Sequence, residues 1–302
     1  DVIMIIHNSS SMFPDNSKLA QTMPGFLNGL DSRGLDYQVC YALTEYSGQF
    51  GRGGQAEQWV KDSSGNGTAI DGATPWILTK NTPNRDQVFA QTMAYYSGFG
   101  GSDERGIAAA YGMVQSTTSC IRAGSAVSFI LISDEDERSI GGNQAIDVNP
   151  SQYRVMENVD FPLTFETLMA SKYPGKAWTF NSIIVTDAAC KAEQDTTTYM
   201  IPSGQLATSK SFFGTWYQQL SEHSNGSVSS ICASDYTANL NLVSQQVLLS
   251  MATITLDCTP VGTPTYVGLP SGTTASVSGK IVNFNPLVPG GTQISVNYQS
   301  SN

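Results

Sequence analysis

The chain has 302 residues, enough for one large domain or a domain with a smaller module, and 40% of them are hydrophobic, as a well-cored protein requires. Its net charge of −10 argues against nucleic acid and against docking on anionic membrane surfaces, both of which recruit Lys and Arg. Only 13% of the residues are charged, and this uncharged polar texture points to a place outside the cytosol.

Val2–Ile6 is a short, β-branched apolar run, the pattern of a strand buried on both faces in a parallel sheet. It breaks into His7-Asn8-Ser9-Ser10-Ser11, hydroxyl groups at the carboxyl end of a strand, where open α/β sheets bind ligands. Asp1 opens directly into this strand with no charged leader, which points to a mature or trimmed terminus. A first helix is expected over Ser17–Gly29, capped by Asn16 or Ser17, followed by a strand at Leu35–Leu43. Gln49–Pro83 is a long Gly-, Ser- and Asn-rich stretch, a functional or variable surface insertion.

Helices follow at Asp86–Tyr95 and Asp103–Met113, the latter capped by Ser102 or Asp103, and then a strand at Ala126–Ile132. Pro162–Met169 reads as helix, Trp178–Val185 as strand, and Phe212–Ser221 and Asn239–Met251 as helices. This alternation implies an α/β fold, a Rossmann-like, doubly wound, mostly parallel sheet with helices on both faces. The texture changes near Thr253, where Pro, Gly and Thr punctuate short strands at Thr265–Gly268, Lys280–Phe284 and Gln293–Tyr298, with Pro289-Gly290-Gly291 as a hairpin turn. The expected division is residues 1–252 for the larger domain and 253–302 for a small β module packed on it.

No segment approaches the roughly 18 consecutive apolar residues of a spanning helix. The cysteines at 40, 120, 190, 232 and 258 form no CxxC pair, so a zinc cluster is not indicated. One or two disulfides are expected. Connectivity cannot be deduced from spacing, but Cys190–Cys232 would tie the last third of the larger domain together, leaving Cys40–Cys120 as the other pair and Cys258 over. Asn66-Gly67-Thr68 and Asn225-Gly226-Ser227 match a glycosylation sequon, which has meaning only in a eukaryotic secretory pathway.

Three segments would emerge at one edge of such a sheet: His7–Ser11, the Gly-rich Gly100-Gly101-Ser102-Asp103-Glu104-Arg105-Gly106, and Ser133-Asp134-Glu135-Asp136-Glu137. Hydroxyls with carboxylates and water suit a hard cation such as Mg²⁺ or Ca²⁺. In this order the three segments resemble the von Willebrand factor type A domain family, and more narrowly its bacterial surface proteins. The resemblance covers residues 1–252 and implies a metal-ion-dependent adhesion site, with Ser9 and Ser11 as direct ligands, Ser102 as the hydroxyl of the second loop, and Asp134 as the last carboxylate. His7 stands where the family places its first Asp, so the site is degenerate. Three outcomes follow: Asp103, Glu104 or Asp136 substitutes for the missing carboxylate, His7 binds a softer metal, or His7 pairs with Asp134 as imidazolium in the cation's place.

Nucleophilic catalysis needs an imidazole base, and only His7 and His223 are present, without a G-x-S-x-G elbow. His223 lies in a polar stretch and is expected to be exposed. Asp187 reads as a turn or cap residue, and Glu135 and Glu137 as a solvated face. The reading is a non-enzymatic, secreted or cell-surface (extracellular or periplasmic) adhesin-like module. It recognises a protein or glycoconjugate at the sheet edge, through a bound Mg²⁺ or Ca²⁺ if His7 permits one. The alternative is a structural or assembly domain with an inactive, metal-free site.

Overall fold

The computed structural model describes residues 1–46, 52–62, 64–70, 75–98, 100–101, 103–116, 119–143, 145, 154–200, 204–285, 288 and 294–300; of residues 246–253 and 255 it describes the backbone only. A six-stranded sheet forms its centre, in the order β3-β2-β1-β4-β5-β8. These strands are β1 (Val2–Ile6), β2 (Gln38–Leu43), β3 (Leu78–Thr79), β4 (Val127–Ser133), β5 (Trp178–Ile184) and β8 (Val228–Ser230). All pairs are parallel except β2 with the short edge strand β3. The chain winds one way from β1 to β2 and the other way from β1 to β4, so the topological switch point lies at the carboxyl end of β1.

The pleat divides the core into two layers. Val2, Met4 and Ile6 face α1 (Phe13–Ser32), α2 (Arg85–Tyr96) and α7 (Thr237–Ala252), where Leu19, Phe26, Phe89 and Leu240 are buried. Ile3 and Ile5 face α3 (Gly106–Gln115), α4 (Pro162–Lys172) and α6 (Thr215–His223), with Ile107, Phe165 and Tyr217. Alternation on β1 thus serves both faces, which is why the run is apolar throughout.

Two expected caps are corrected. The first helix begins at Phe13, with Pro14 in its first turn, where a missing N–H costs nothing. Asn16 and Ser17 are therefore inside it: Asn16 Nδ2 donates to His7 O (2.9 Å) and Ser17 Oγ to Phe13 O (2.8 Å). The third helix begins at Gly106, so Asp103 does not cap it; Ser102 lies outside the described residues. Several elements escaped the sequence reading, among them β3, α5 (Ala188–Thr196), β8, and the hairpin of β6 (Tyr199–Met200) with β7 (Leu206–Ala207). Asp187 caps α5, accepting from Ala189 N and Cys190 N.

The disulfides are Cys40–Cys120 and Cys190–Cys232, with Cys258 free. Beyond α7, β9 (Thr253–Thr255) pairs with β12 (Ile281–Asn285), which pairs with β11 (Thr274–Ser278). β10 (Pro260–Val267) pairs with β13 (Ser295–Ser300). Val282 and Phe284 alternate inward from β12 to a separate cluster with Leu256 and Val288. The expected Pro289-Gly290-Gly291 turn lies outside the described residues. No described helix is long and apolar enough to cross a membrane.

Candidate functional site at the carboxyl edge of the sheet

Strand register builds the site. Ile6 aligns with Leu43 on one side and Ile132 on the other, so the next residues, His7, Thr44 and Ser133, leave three adjacent strands together. Backbone bonds carry the ladder one step further, from His7 N to Ile132 O and from Thr44 N to Ile6 O.

His7 is fully buried at this point, with a carboxylate on each side of its ring: Nδ1 lies 2.9 Å from Asp134 Oδ1 and Nε2 lies 3.3 Å from Glu104 Oε1. Ser133 Oγ, 3.1 Å from Nδ1, donates its single proton to Glu135 O (2.9 Å) and so accepts from the ring. Nδ1 therefore carries a proton, while Nε2 and Glu104 Oε1 face each other without forming a hydrogen bond. Burial alone would push the imidazole down, but the Glu104 and Asp134 charges outweigh it and hold its pKa well above the ordinary value. The far oxygen of Glu104 accepts from Thr44 Oγ1, and Glu104 N donates to Ser139 Oγ (3.2 Å). One imidazolium thus joins the loop after β4 to the loop before α3.

Ser9 and Ser11 follow in the same turn, their hydroxyls bonded to each other at 2.8 Å. Asn8 O accepts from Gly98 N and Gly100 N, bringing that loop against the turn. A Cβ at Gly100 would lie 2.5 Å from Ser9 N, so only glycine permits the approach. Of the expected ligands, Ser9, Ser11 and Asp134 are thus at one edge, while Asp103 is drawn away to Arg138 (2.7 Å).

This donor set does not suit a hard dication. The imidazolium faces the Asp134 oxygen and the Glu104 oxygen that a cation would need, which leaves the hydroxyls of Ser9 and Ser11, bonded to each other, without a carboxylate beside them to hold one. Among the described residues, no group of three His, Cys, Asp or Glu side chains is arranged to hold a metal.

The acidic run after β4 is not a solvated face. Glu135, Asp136 and Glu137 are all buried, and two helix starts converge on the loop and supply amide donors to Asp136 and Glu137. The Glu137 carboxylate accepts from Ile107 N (2.7 Å) and Ala108 N (3.1 Å) at the start of α3. Asp136 Oδ1 accepts from Trp216 N (3.0 Å) in the first turn of α6. Burial pushes Asp136 up to about 7, Glu135 up to about 8, and Glu137 well above the carboxylate range. Beside them, Arg105 and Arg138 both grip the buried Asp160, at 2.8 and 3.0 Å, clamping three loops together.

Sequence reasoning missed Thr44 altogether and gave Glu104 only as a substitute metal ligand. The strand register was the signal that would have found Thr44. His223 is exposed as expected, with Nδ1 2.7 Å from Glu166 Oε1.

No family model matches the chain, and no curated protein matches its sequence. Similar solved structures include the open form of the pilus adhesin SpaC from Lactobacillus rhamnosus GG, 13% identical, covering 99% of this chain and 38% of the adhesin at a TM-score of 0.42. BatB, a conserved hypothetical protein from Bacteroides thetaiotaomicron, is 12% identical, covering 82% of this chain and 97% of that one at 0.43. Proximal thread matrix protein 1 of the mussel byssus is 12% identical, covering 88% and 49% at 0.39. The chain thus spans well under half the length of the adhesin. At these scores the likenesses carry no part of the functional reading.

Proposed function

We propose that the chain is a non-catalytic binding module of the cell surface or envelope, whose recognition surface is the carboxyl edge of the central sheet and whose cation is built in as His7. Residues 253–302 form its small β module. The observation that supports this best is the buried ring of His7, with one nitrogen 2.9 Å from Asp134 and the other 3.3 Å from Glu104. A positive group there does the local work of a divalent ion: it neutralises carboxylates and fixes two loops. The edge is therefore set without an added Mg²⁺ or Ca²⁺. Two disulfides support an oxidising compartment.

The rival, an assembly domain with a closed site, draws on the same complete burial of His7. Beads coated with the protein and tested on a panel of immobilised proteins and glycans separate the two. Retention is expected to survive chelator and to be lost with Ser10→Arg, which adds bulk and charge to the edge. Retention that ignores Ser10→Arg moves binding elsewhere and leaves the assembly reading.

A further inference from the structure

Four exposed large apolar side chains lie on segments that meet at this edge. Phe13 (46% exposed) begins α1 directly after the serine turn, and Met200 (62%) and Leu206 (70%) pair across the β6–β7 hairpin. β6 lies against Ser10–Met12. Phe213 (44%) follows Phe212, whose N–H donates to Asp134 O at 2.9 Å. Scattered exposed apolar residues need no explanation, but a collar on segments that meet at one point marks an interaction surface.

The charge inside the collar gives the partner's sign. Lys18 is matched by Asp15 at 3.1 Å and Lys191 by Asp195 at 2.7 Å. Among the described residues, the ion-pair partner of both Glu104 and Asp134 is His7, one positive charge against two carboxylates, and ionisation of Glu135 would add to the negative side. Asn8, between His7 and Ser9, is fully buried, and neither polar atom of its amide has a partner among the described residues. Such a group is kept where a further polar ligand or water completes it.

We infer that the sheet edge receives a protein segment presenting a Lys or Arg side chain flanked by apolar residues. The basic head would approach the serine hydroxyls above Asp134, and the flanks would cover Phe13, Met200, Leu206 and Phe213. A partner carboxylate, which a dication would attract, is disfavoured here because the imidazolium supplies one positive charge where the metal supplies two. The inference rests on the sheet edge being the binding surface.

The test is selection of a random peptide library displayed on phage against the full chain in the presence of EDTA, with counter-selection on the Phe13→Ser, Met200→Ser variant. Enriched peptides are expected to carry Lys or Arg beside apolar residues. Replacing that basic residue by Glu in a synthetic copy should weaken binding about tenfold, and added salt should narrow the gap. Enrichment of acidic peptides, or peptides that appear only in a parallel selection with Mg²⁺ in place of EDTA but still fail on the variant, overturns the inference and leaves the sheet-edge reading standing. Peptides that bind the variant equally well, or no enrichment at all, overturn both. Unchanged melting of the variant separates loss of binding from loss of fold.

Discussion

Replacing His7 by Asp is the sharpest perturbation of this site, because it exchanges the internal cation for a third carboxylate. His7 touches Glu104 and Asp134, both buried. Removing one partner of a buried ion pair costs about 3–5 kcal/mol, and a cation shared by two anions puts the change at the upper end, about 5 kcal/mol. At roughly 2–4 °C per kcal/mol for a domain of this size, the melting temperature should fall by roughly 10–20 °C without metal. The same substitution completes a donor set of carboxylates and serine hydroxyls suited to a hard dication. Mg²⁺ at about 100 times its Kd would return about 2.7 kcal/mol, roughly 5–10 °C. Scanning fluorimetry at neutral pH, with Mg²⁺ or with EDTA, reads both effects. His7→Asn, which removes the charge without adding a ligand, should lose stability and gain none from Mg²⁺. The wild-type curves should superimpose. A wild type stabilised by Mg²⁺, or a His7→Asp variant that melts like wild type in EDTA, would refute the internal-cation argument.

Burial pushes the Glu57 carboxyl up to about 7, with Arg52 3.8 Å away only partly opposing it. A carboxyl raised in the folded state contributes stability that is complete below its unfolded pKa, about 4.5, and is lost as pH rises through about 7. The urea midpoint should therefore fall across that window, and Glu57→Gln should flatten the fall and add roughly 2–3 kcal/mol at pH of about 8; a midpoint that rises with pH there contradicts this. Arg138→Met leaves Asp160 to Arg105 alone and frees Asp103, and should cost about 3–5 kcal/mol in urea unfolding. A loss below about 1 kcal/mol would mean the clamp contributes nothing net. Replacing Cys40 and Cys120 by Ala opens a crosslink between residues 80 apart and should cost about 2–5 kcal/mol, read as a lower midpoint that reductant no longer changes at this bridge.

The parts of the fold readable in the sequence were those in which one residue's burial does not depend on a distant partner. β1, β4 and β5 are apolar almost throughout because both faces are covered, and such runs survive any uncertainty of register. α5 was hidden because only Cys190 and Gln194 are buried along it, which leaves no apolar period. At the site, the serine turn and Asp134 were legible from their spacing. Glu104 facing His7 was not, since it depends on how closely Gly100 lets its loop approach. The acidic run misled for a related reason. A charge run is ordinarily solvated, but here the amides of Ile107 and Trp216 reach Glu137 and Asp136 from helices far away in sequence.

A tethered cation differs from a bound one in its concentration dependence. A dissociable ion stabilises the folded edge only as its concentration exceeds its Kd, so chelation or dilution weakens the site. His7 has no such term: it is placed by β1, held by Ser133, and buried between its two carboxylates. What is given up is charge. A dication would cancel both Glu104 and Asp134, whereas the imidazolium cancels one, and among the described residues neither carboxylate has a second ion-pair partner. That residual negative charge beside the serine turn, with Phe13, Met200, Leu206 and Phe213 exposed around it, is the physical reason for expecting a basic side chain on whatever the edge binds.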